Sequence, residues 1–225
     1  MNTSIATYLC PECGKEIQKE FYAYRWSEMN YRFWSDGYVD GDGWFLPCYT
    51  HCCPACGKYY LMPKTKDVHA EKAFPMSAKL PLSEMKDALQ QLADGGQLEA
   101  KVRLDMMFAH HDLVRYGAMA VMHPDEVEDY LDNLQWLLAY YTAQNAGFSE
   151  LVFELHRLLG HDDECRRLLD AYTLEVFVDR RQKRFARAGI AYEYDAERDQ
   201  NLYKQAIGRL QEALGKRLMP YVTNK

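Results

Sequence analysis

Cys10-Pro-Glu-Cys13-Gly-Lys and Cys53-Pro-Ala-Cys56-Gly-Lys are one hexapeptide written twice, differing at a single position. Nothing else in the chain limits its folding as strongly. A two-residue spacer in a tight turn lets both thiolates reach one cation, and the glycine that follows tolerates the backbone conformation the turn needs. Two such turns supply four sulfurs, a closed tetrahedral shell that suits zinc. The expected ligands are Cys10, Cys13, Cys53 and Cys56, holding one structural zinc per chain. Four protein sulfurs leave no open coordination position, so the ion is expected to shape the fold and not to catalyse. A redox dithiol would instead stand alone beside a βαβ pattern, which is absent. The 39 residues between the pairs exceed the usual spacing of about 15 to 20, and an inserted hairpin accommodates the excess.

Reading these thiols as ligands and not as disulfides depends on the compartment. MNTSIATYLCPECG has no basic start and no long apolar run, so no signal peptide is expected, and no stretch of about 18 apolar residues suggests a membrane span. A cytoplasmic location follows as the expectation, where thiols stay reduced. Hydrophobic residues make up 48% and charged residues 27% of 225, as in an ordinary globular chain of one large or two small domains. The net charge of −6 provides no overall field toward nucleic acid or anionic lipid.

Six of the seven cysteines lie between residues 10 and 56, together with aromatic stretches such as FYAYRW and GKYYLM that read as short strands. SDGYVDGDGW reads as a loop or paired tight turns. Pro63, Pro75 and Pro81 punctuate a linker, which places a boundary near residue 75. Beyond it the period becomes helical. Helices are expected over 83–93 and 97–116. A third, from HPDEVEDYLDNLQWLLAYY, would line one face with Val127, Tyr130, Leu131, Leu134, Leu138 and Tyr141. Ser149 suits the cap of FSELVFELHRLLG, with Gly160 as its stop. DDECRRLLDAYTLEVFVDRRQKRFARAG reads as one long helix, with Cys165, Leu168, Leu169, Tyr172 and Val176 on a stripe, ending near Gly189. A last helix starts near Asp195 and carries Leu202, Ala206, Ile207, Leu210, Leu214 and Leu218. The expected class is α+β: a small β-rich zinc ribbon over 1–75, then an all-α antiparallel helical domain over 76–225.

Residues 8 to 62 resemble zinc ribbons with paired CPxCG knuckles, matching at Cys10, Cys13, Gly14, Cys53, Cys56 and Gly57. The whole layout is similar to uncharacterised bacterial proteins in which such a ribbon precedes tetratricopeptide-like helices. ELHRLLGHDDECRRLL resembles a tetratricopeptide inter-helix turn, with Gly160 and a small residue, Cys165, five positions later. LADGGQLEAKVRL repeats that spacing at Gly95 and Ala100, 65 residues upstream, with no middle copy. The resemblance implies an architecture and no activity.

Other residues invite chemistry. Cys48, His51 and Cys52 suggest part of a second site, or Cys52 replacing Cys53 as ligand; a second site would need a fourth ligand that the neighbouring sequence does not offer, and small buried groups on the strand entering the second turn are the favoured explanation. Asp36, Asp40 and Asp42 lack the alternation and distal glutamate of a calcium loop. Eleven aromatics between Phe21 and Tyr49 would build a core, a protein-binding face or a stacking platform for single-stranded nucleic acid. Against the last, residues 1–66 carry seven basic and seven acidic side chains. Arg180, Arg181, Lys183, Arg184 and Arg187 cluster at a helix end, where cations are favoured anyway, although phosphate or an acidic partner would also suit them. His110-His111-Asp112 and His161-Asp162-Asp163 are pairs of the kind a metal-dependent phosphohydrolase uses, without the separate histidine and distal aspartate such a site needs.

The sequence thus reads as a non-enzymatic adaptor: zinc folds the ribbon, and the helices bind another protein. The alternative is a nucleic-acid- or ribosome-associated ribbon using Arg25, Arg32, Lys58 and the 180–187 cluster. The phosphohydrolase is a minor third.

Overall fold

Each hexapeptide forms the turn of a β-hairpin. In the computed structural model, which describes residues 2–23, 31–34, 39–41, 50–61, 73–75, 82–92, 95–115, 124–144, 147–187, 189–216 and 222–223, strand β1 (Asn2–Leu9) runs antiparallel to β2 (Glu16–Ala23), from Asn2 opposite Ala23 to Leu9 opposite Glu16. The first cysteine turn joins them. Between the two turns, β3 (Tyr31–Trp34) pairs with β4 (Val39–Gly41), a hairpin within the long spacer. The second cysteine turn joins β5 (Thr50–Cys52) to β6 (Tyr59–Leu61), with His51 opposite Tyr60. Strand β7 (Ala73–Pro75) extends the first sheet by pairing with β2.

Seven helices then dominate the described residues: α1 (Leu82–Gln91), α2 (Gln97–Arg115), α3 (Pro124–Gln144), α4 (Glu150–Leu158), α5 (Asp162–Ala171), α6 (Leu174–Arg187) and α7 (Ala196–Leu214), followed by a two-residue strand, β8 (Val222–Thr223). Among the described residues no helix is long and apolar enough to cross a membrane. The chain divides into two compact units, one of Met1–Phe33 with Tyr38–His123 and the other of Trp34–Gly37 with Pro124–Lys225.

In the first unit, Tyr59 of β6 joins Met85 and Ala88 of α1 and Val102 and Met106 of α2 in one buried apolar cluster, with Cys52 against its edge. The Tyr59 hydroxyl donates to the Glu84 carbonyl at 3.2 Å. This cluster joins residues on both sides of residue 75, where the composition changes. The α1–α2 turn needs Gly95, whose φ of +72° lies in the left-handed region. Its N–H donates to the Glu99 carboxylate at 2.8 Å, and buried Glu99 also accepts from Arg103 at 2.7 Å.

The second unit has its own core of Phe148, Phe153, Cys165, Leu169, Tyr172, Phe177, Ala206 and Ala213. Ser149 caps α4, accepting from the Val152 N–H at 3.4 Å, and Gly160, at φ +74°, lets the chain leave it. Glu154 and Arg157 form a buried pair with contacts of 2.7 and 2.8 Å. Asp195 caps α7, accepting from the Arg198 N–H at 2.8 Å.

Two sequence expectations change here. The long helix expected over DDECRRLLDAYTLEVFVDRRQKRFARAG is two helices, because Tyr172 and Thr173 leave the helical path. Tyr172 turns inward to stack on Phe148, ring centroids 3.8 Å apart, and donors at the start of α6 find Thr173: the Phe177 N–H meets its carbonyl at 3.0 Å and the Val176 N–H its hydroxyl at 3.3 Å. On α3, the buried face is Tyr130, Asn133, Leu134 and Leu137, whereas Val127 and Leu131 are exposed.

Candidate metal centre

The two cysteine turns have nearly identical backbones. The Cys10 N–H donates to the Lys15 carbonyl at 2.9 Å and the Cys53 N–H to that of Lys58 at 2.9 Å. Gly14 donates to the Cys10 carbonyl at 2.9 Å and Gly57 to that of Cys53 at 2.8 Å. Gly14 and Gly57 adopt φ of +70° and +69°, and a Cβ at either would meet no atom within 4 Å. Glycine is therefore required by backbone angle and not by crowding.

The equivalence extends to the sulfurs. Cys10 and Cys53, first in each turn, are buried; Cys13 and Cys56, second in each, are exposed. The pairs cross: Cys10 Sγ lies 4.0 Å from Cys56 Sγ, and Cys13 Sγ 3.8 Å from Cys53 Sγ. All four sulfurs lie within 4.8 Å of one another. A zinc ion at about 2.3 Å from each of four sulfurs would hold them at tetrahedral edges of roughly 3.8 Å. Disulfide sulfurs would sit at about 2.05 Å, and these cysteines are free. The donor set and its spacing fit a tetrahedral thiolate-binding ion.

The electrostatics give such an ion something to neutralise. Burial opposes ionisation of Cys53, but the backbone N–H groups of Cys56 and Ala55 favour its thiolate and bring its pKa down to about 7. For Cys56 the Lys58 N–H favours the thiolate, yet burial and the neighbouring sulfurs push it up to about 12. Sulfurs this close favour one thiolate at the expense of its neighbour, and a cation bound among them would remove that conflict and release the Cys56 proton.

The other two described cysteines are occupied otherwise. Burial first, and then the Glu84 charge, raise the Cys52 pKa; its thiol donates to the Cys53 carbonyl at 3.9 Å, and its side chain packs on the cluster around Tyr59. Cys53, and not Cys52, joins the sulfur group. Cys165 is buried in the second unit, donates to the Phe153 carbonyl at 3.6 Å, and is pushed by burial up to about 11. Cys48, Asp36, Asp42, Arg25 and most of the aromatic run up to Tyr49 lie outside the described residues.

The histidine–aspartate pairs are dispersed among local contacts. His110 and His111 are buried on α2, with His110 Nδ1 at 2.8 Å from the Met106 carbonyl, and Asp112 binds Arg115 at 2.7 Å. His161 lies in the α4–α5 turn, its Nδ1 3.2 Å from that of His156. Among the described residues the cysteine quartet is the group of three or more such ligands close enough to hold one ion.

Sequence reasoning missed a buried charge centre in the second unit. Asp199 is fully buried on α7. It accepts from the Tyr192 hydroxyl at 2.6 Å and the Asp195 N–H at 3.2 Å, with Arg181 of α6 at 3.5 Å. Burial alone would raise its pKa; the hydrogen bonds from Tyr192 and Asp195, with Arg198 and Arg181 nearby, hold it below the usual carboxylate value. Arg181 also lies over the rings of Phe177, Phe185 and Tyr192. An aspartate at the fourth position of an exposed-looking polar helix start gives no periodic signal of burial.

No family model matches the chain, and neither a curated protein nor a solved structure matches it.

Proposed function

We propose that this chain is a non-enzymatic, zinc-binding interaction module: a zinc ribbon held by Cys10, Cys13, Cys53 and Cys56, with tetratricopeptide-like helices that receive another protein. The convergence of four sulfurs from two matching turns carries this reading. When bound, the ion supplies folding energy of the order of 10 to 16 kcal/mol, as structural zinc does in small domains. The chain's own residues close the shell on all sides, which supports a structural role over a catalytic one.

The helical half of the reading draws on a repeated turn. Gly95 and Gly160 both take left-handed φ values of +72° and +74°, and the small residues five positions later, Ala100 and Cys165, are both buried. Helix pairs joined in this way stack into grooved surfaces in solenoid proteins.

The test is elemental analysis of the full chain, followed by identification of co-purifying proteins. One zinc per wild-type chain and none in Cys13→Ser is the expected result; equal zinc in both overturns the metal assignment. Specific co-purification of a protein supports the adaptor. Salt-sensitive retention on RNA or DNA without a protein partner would favour the nucleic-acid reading. A second metal per chain would favour the phosphohydrolase.

A further inference from the structure

The second unit contains a cleft of about 870 Å³ whose charge is opposite to that of the protein. Its walls come from the start of α4, the length of α6 and the middle of α7. They include six cationic side chains, five of them on α6 and the sixth Arg209 on α7, against two acidic ones, Glu150 and Asp179. The whole chain carries −6. A concentration of positive charge in an acidic protein calls for a reason beyond solubility.

Helix-end capping, the ordinary explanation for basic residues before Gly189, covers only part of this. Arg181 is held by Asp199, and Lys183 pairs with Asp179 at 2.7 Å. Among the described residues Arg180, Arg184, Arg187 and Arg209 have no carboxylate partner within ion-pair distance. Arg180 lies over the Phe148 ring at 5.4 Å, and its Nη1 is buried without a hydrogen-bond acceptor. Arg180, Arg184 and Arg187 recur at four- and three-residue intervals, so they share one face of α6 over about 10 Å. Arg209 stands across from them on α7. Arg181, clamped between Asp199 and three rings, fixes α6 beneath this row and so holds the other guanidinium groups in place.

We propose that this cleft binds a short acidic protein segment, its carboxylates received by Arg180, Arg184, Arg187 and Arg209. The inference rests on the adaptor reading and names the chemistry of its partner. Guanidinium groups accept carboxylates in paired hydrogen bonds, and a row spaced one helical turn apart, about 5 to 6 Å, approaches the spacing of alternate side chains on an extended peptide. Two observations favour a peptide over nucleic acid. The cleft's aromatic rings are committed to one another: Phe148 stacks on Tyr172, Phe177 meets Tyr172 edge-on, and all three are at most 8% exposed, so none offers a face to a base. A long polyanion would also meet the repulsion of the chain's net negative charge, whereas a short segment would feel mainly the cleft.

The experiment is fluorescence polarisation with full-length, metal-loaded protein at about 0.1 M salt. The probe is a labelled peptide of about ten residues, rich in glutamate with two interior leucines. We expect saturable binding that falls at least tenfold in the Arg184→Glu, Arg187→Glu double variant. Both positions are exposed, so the variant's circular dichroism and melting should match wild type. The Arg184→Lys, Arg187→Lys variant should keep the charge and lose part of the affinity. Equal binding of the glutamine version of the peptide, or indifference to charge reversal, overturns the proposal. So does tighter binding of a single-stranded oligonucleotide than of the peptide. If the peptide fails while the same proteins co-purify with wild type and the reversed variant, the cleft assignment falls and the adaptor reading stands; if nothing co-purifies with either, both fall.

Discussion

The two units of this chain solve the same problem, ordering a modest number of residues, by opposite means. In the second unit, helices bury a shared core of aromatic and aliphatic side chains, with Tyr172 touching Phe148, Phe177 and Tyr203 and its carbonyl accepting from the Tyr203 hydroxyl at 2.8 Å. Order there is distributed over many contacts, each worth about a kilocalorie or two. In the first unit, the hairpin carrying the second cysteine turn has three-residue strands, and its described apolar attachment to the helices is Tyr59 with the edge of Cys52. Strands so short do not hold a hairpin in water by themselves. On the proposed reading the order of that region comes from an ion held by the four sulfurs, which would concentrate its stability in one place. A distributed core degrades gradually; a concentrated one fails at once.

The largest predicted effect follows from that difference. Removing the metal with a strong chelator, or replacing a ligand in Cys13→Ser, should unfold the hairpins around the two cysteine turns. It should also loosen α1 and α2, because Tyr59 seals their cluster. Helices α3 to α7 should stay folded. Hydrogen exchange resolved by peptide would show residues 2–23 and 50–61 losing protection, with 82–115 partly affected and 147–214 unchanged. Equal loss of protection throughout the chain would mean that the units do not differ as argued.

A smaller effect tests the buried charge centre of the second unit. Asp199→Ala removes the acceptor shared by the Tyr192 hydroxyl and the Asp195 N–H and leaves Arg181 without its carboxylate. The expected loss is about 2 to 3 kcal/mol, read by denaturant titration of the far-ultraviolet helical signal, with zinc content unchanged. The same group sets a pH dependence. Its folded pKa lies below its unfolded value of about 3.9, so its contribution is complete at neutral pH. That contribution should disappear as pH falls from about 4 through the folded pKa. Asp199→Ala should therefore flatten the acid limb of the stability curve. An acid limb identical to wild type would show that Asp199 is not the group responsible.

Local rules read well from the sequence wherever one residue type did one job. Ser149 and Asp195 cap the helices they precede, Gly160 ends α4, and the two cysteine turns converge on one point. The readings that failed were decided by tertiary contacts invisible in a period. The stripe through Cys165, Leu169, Tyr172 and Val176 continues smoothly across a break, because Tyr172 is buried on either geometry; only Thr173, with Glu175 close behind it, hinted at a new helix start. On α3, Val127 and Leu131 fit an apolar face as well as Leu137 does, and the choice of which edge to bury belongs to neighbouring helices. Between adjacent Cys52 and Cys53, the two-residue spacer of the repeated hexapeptide already favours Cys53, and the structure agrees: Cys53 sits in the turn with the other three sulfurs, while Cys52 pairs with Tyr59 on the strand before it.

The smallest effect makes the sharpest comparison, because the same change can be made in both units. Gly57 and Gly160 have φ values of +69° and +74°, and a Cβ at either position meets no atom within 4 Å. Alanine at each should thus cost the same left-handed strain, about 1 kcal/mol, with no steric clash to confuse the comparison. Where that cost appears should differ. In Gly57→Ala it falls on a turn whose geometry matters for closing a ring of sulfurs, so it should weaken zinc affinity roughly fivefold in a competition titration and leave the melting of the helices alone. In Gly160→Ala it falls on the α4–α5 turn, so the helical transition should drop by about 4 to 5 °C with zinc affinity unchanged. A crossed result, with Gly160→Ala altering zinc affinity, would mean that the helices share in the stability of the metal centre. The contrast between concentrated and distributed order would then no longer hold.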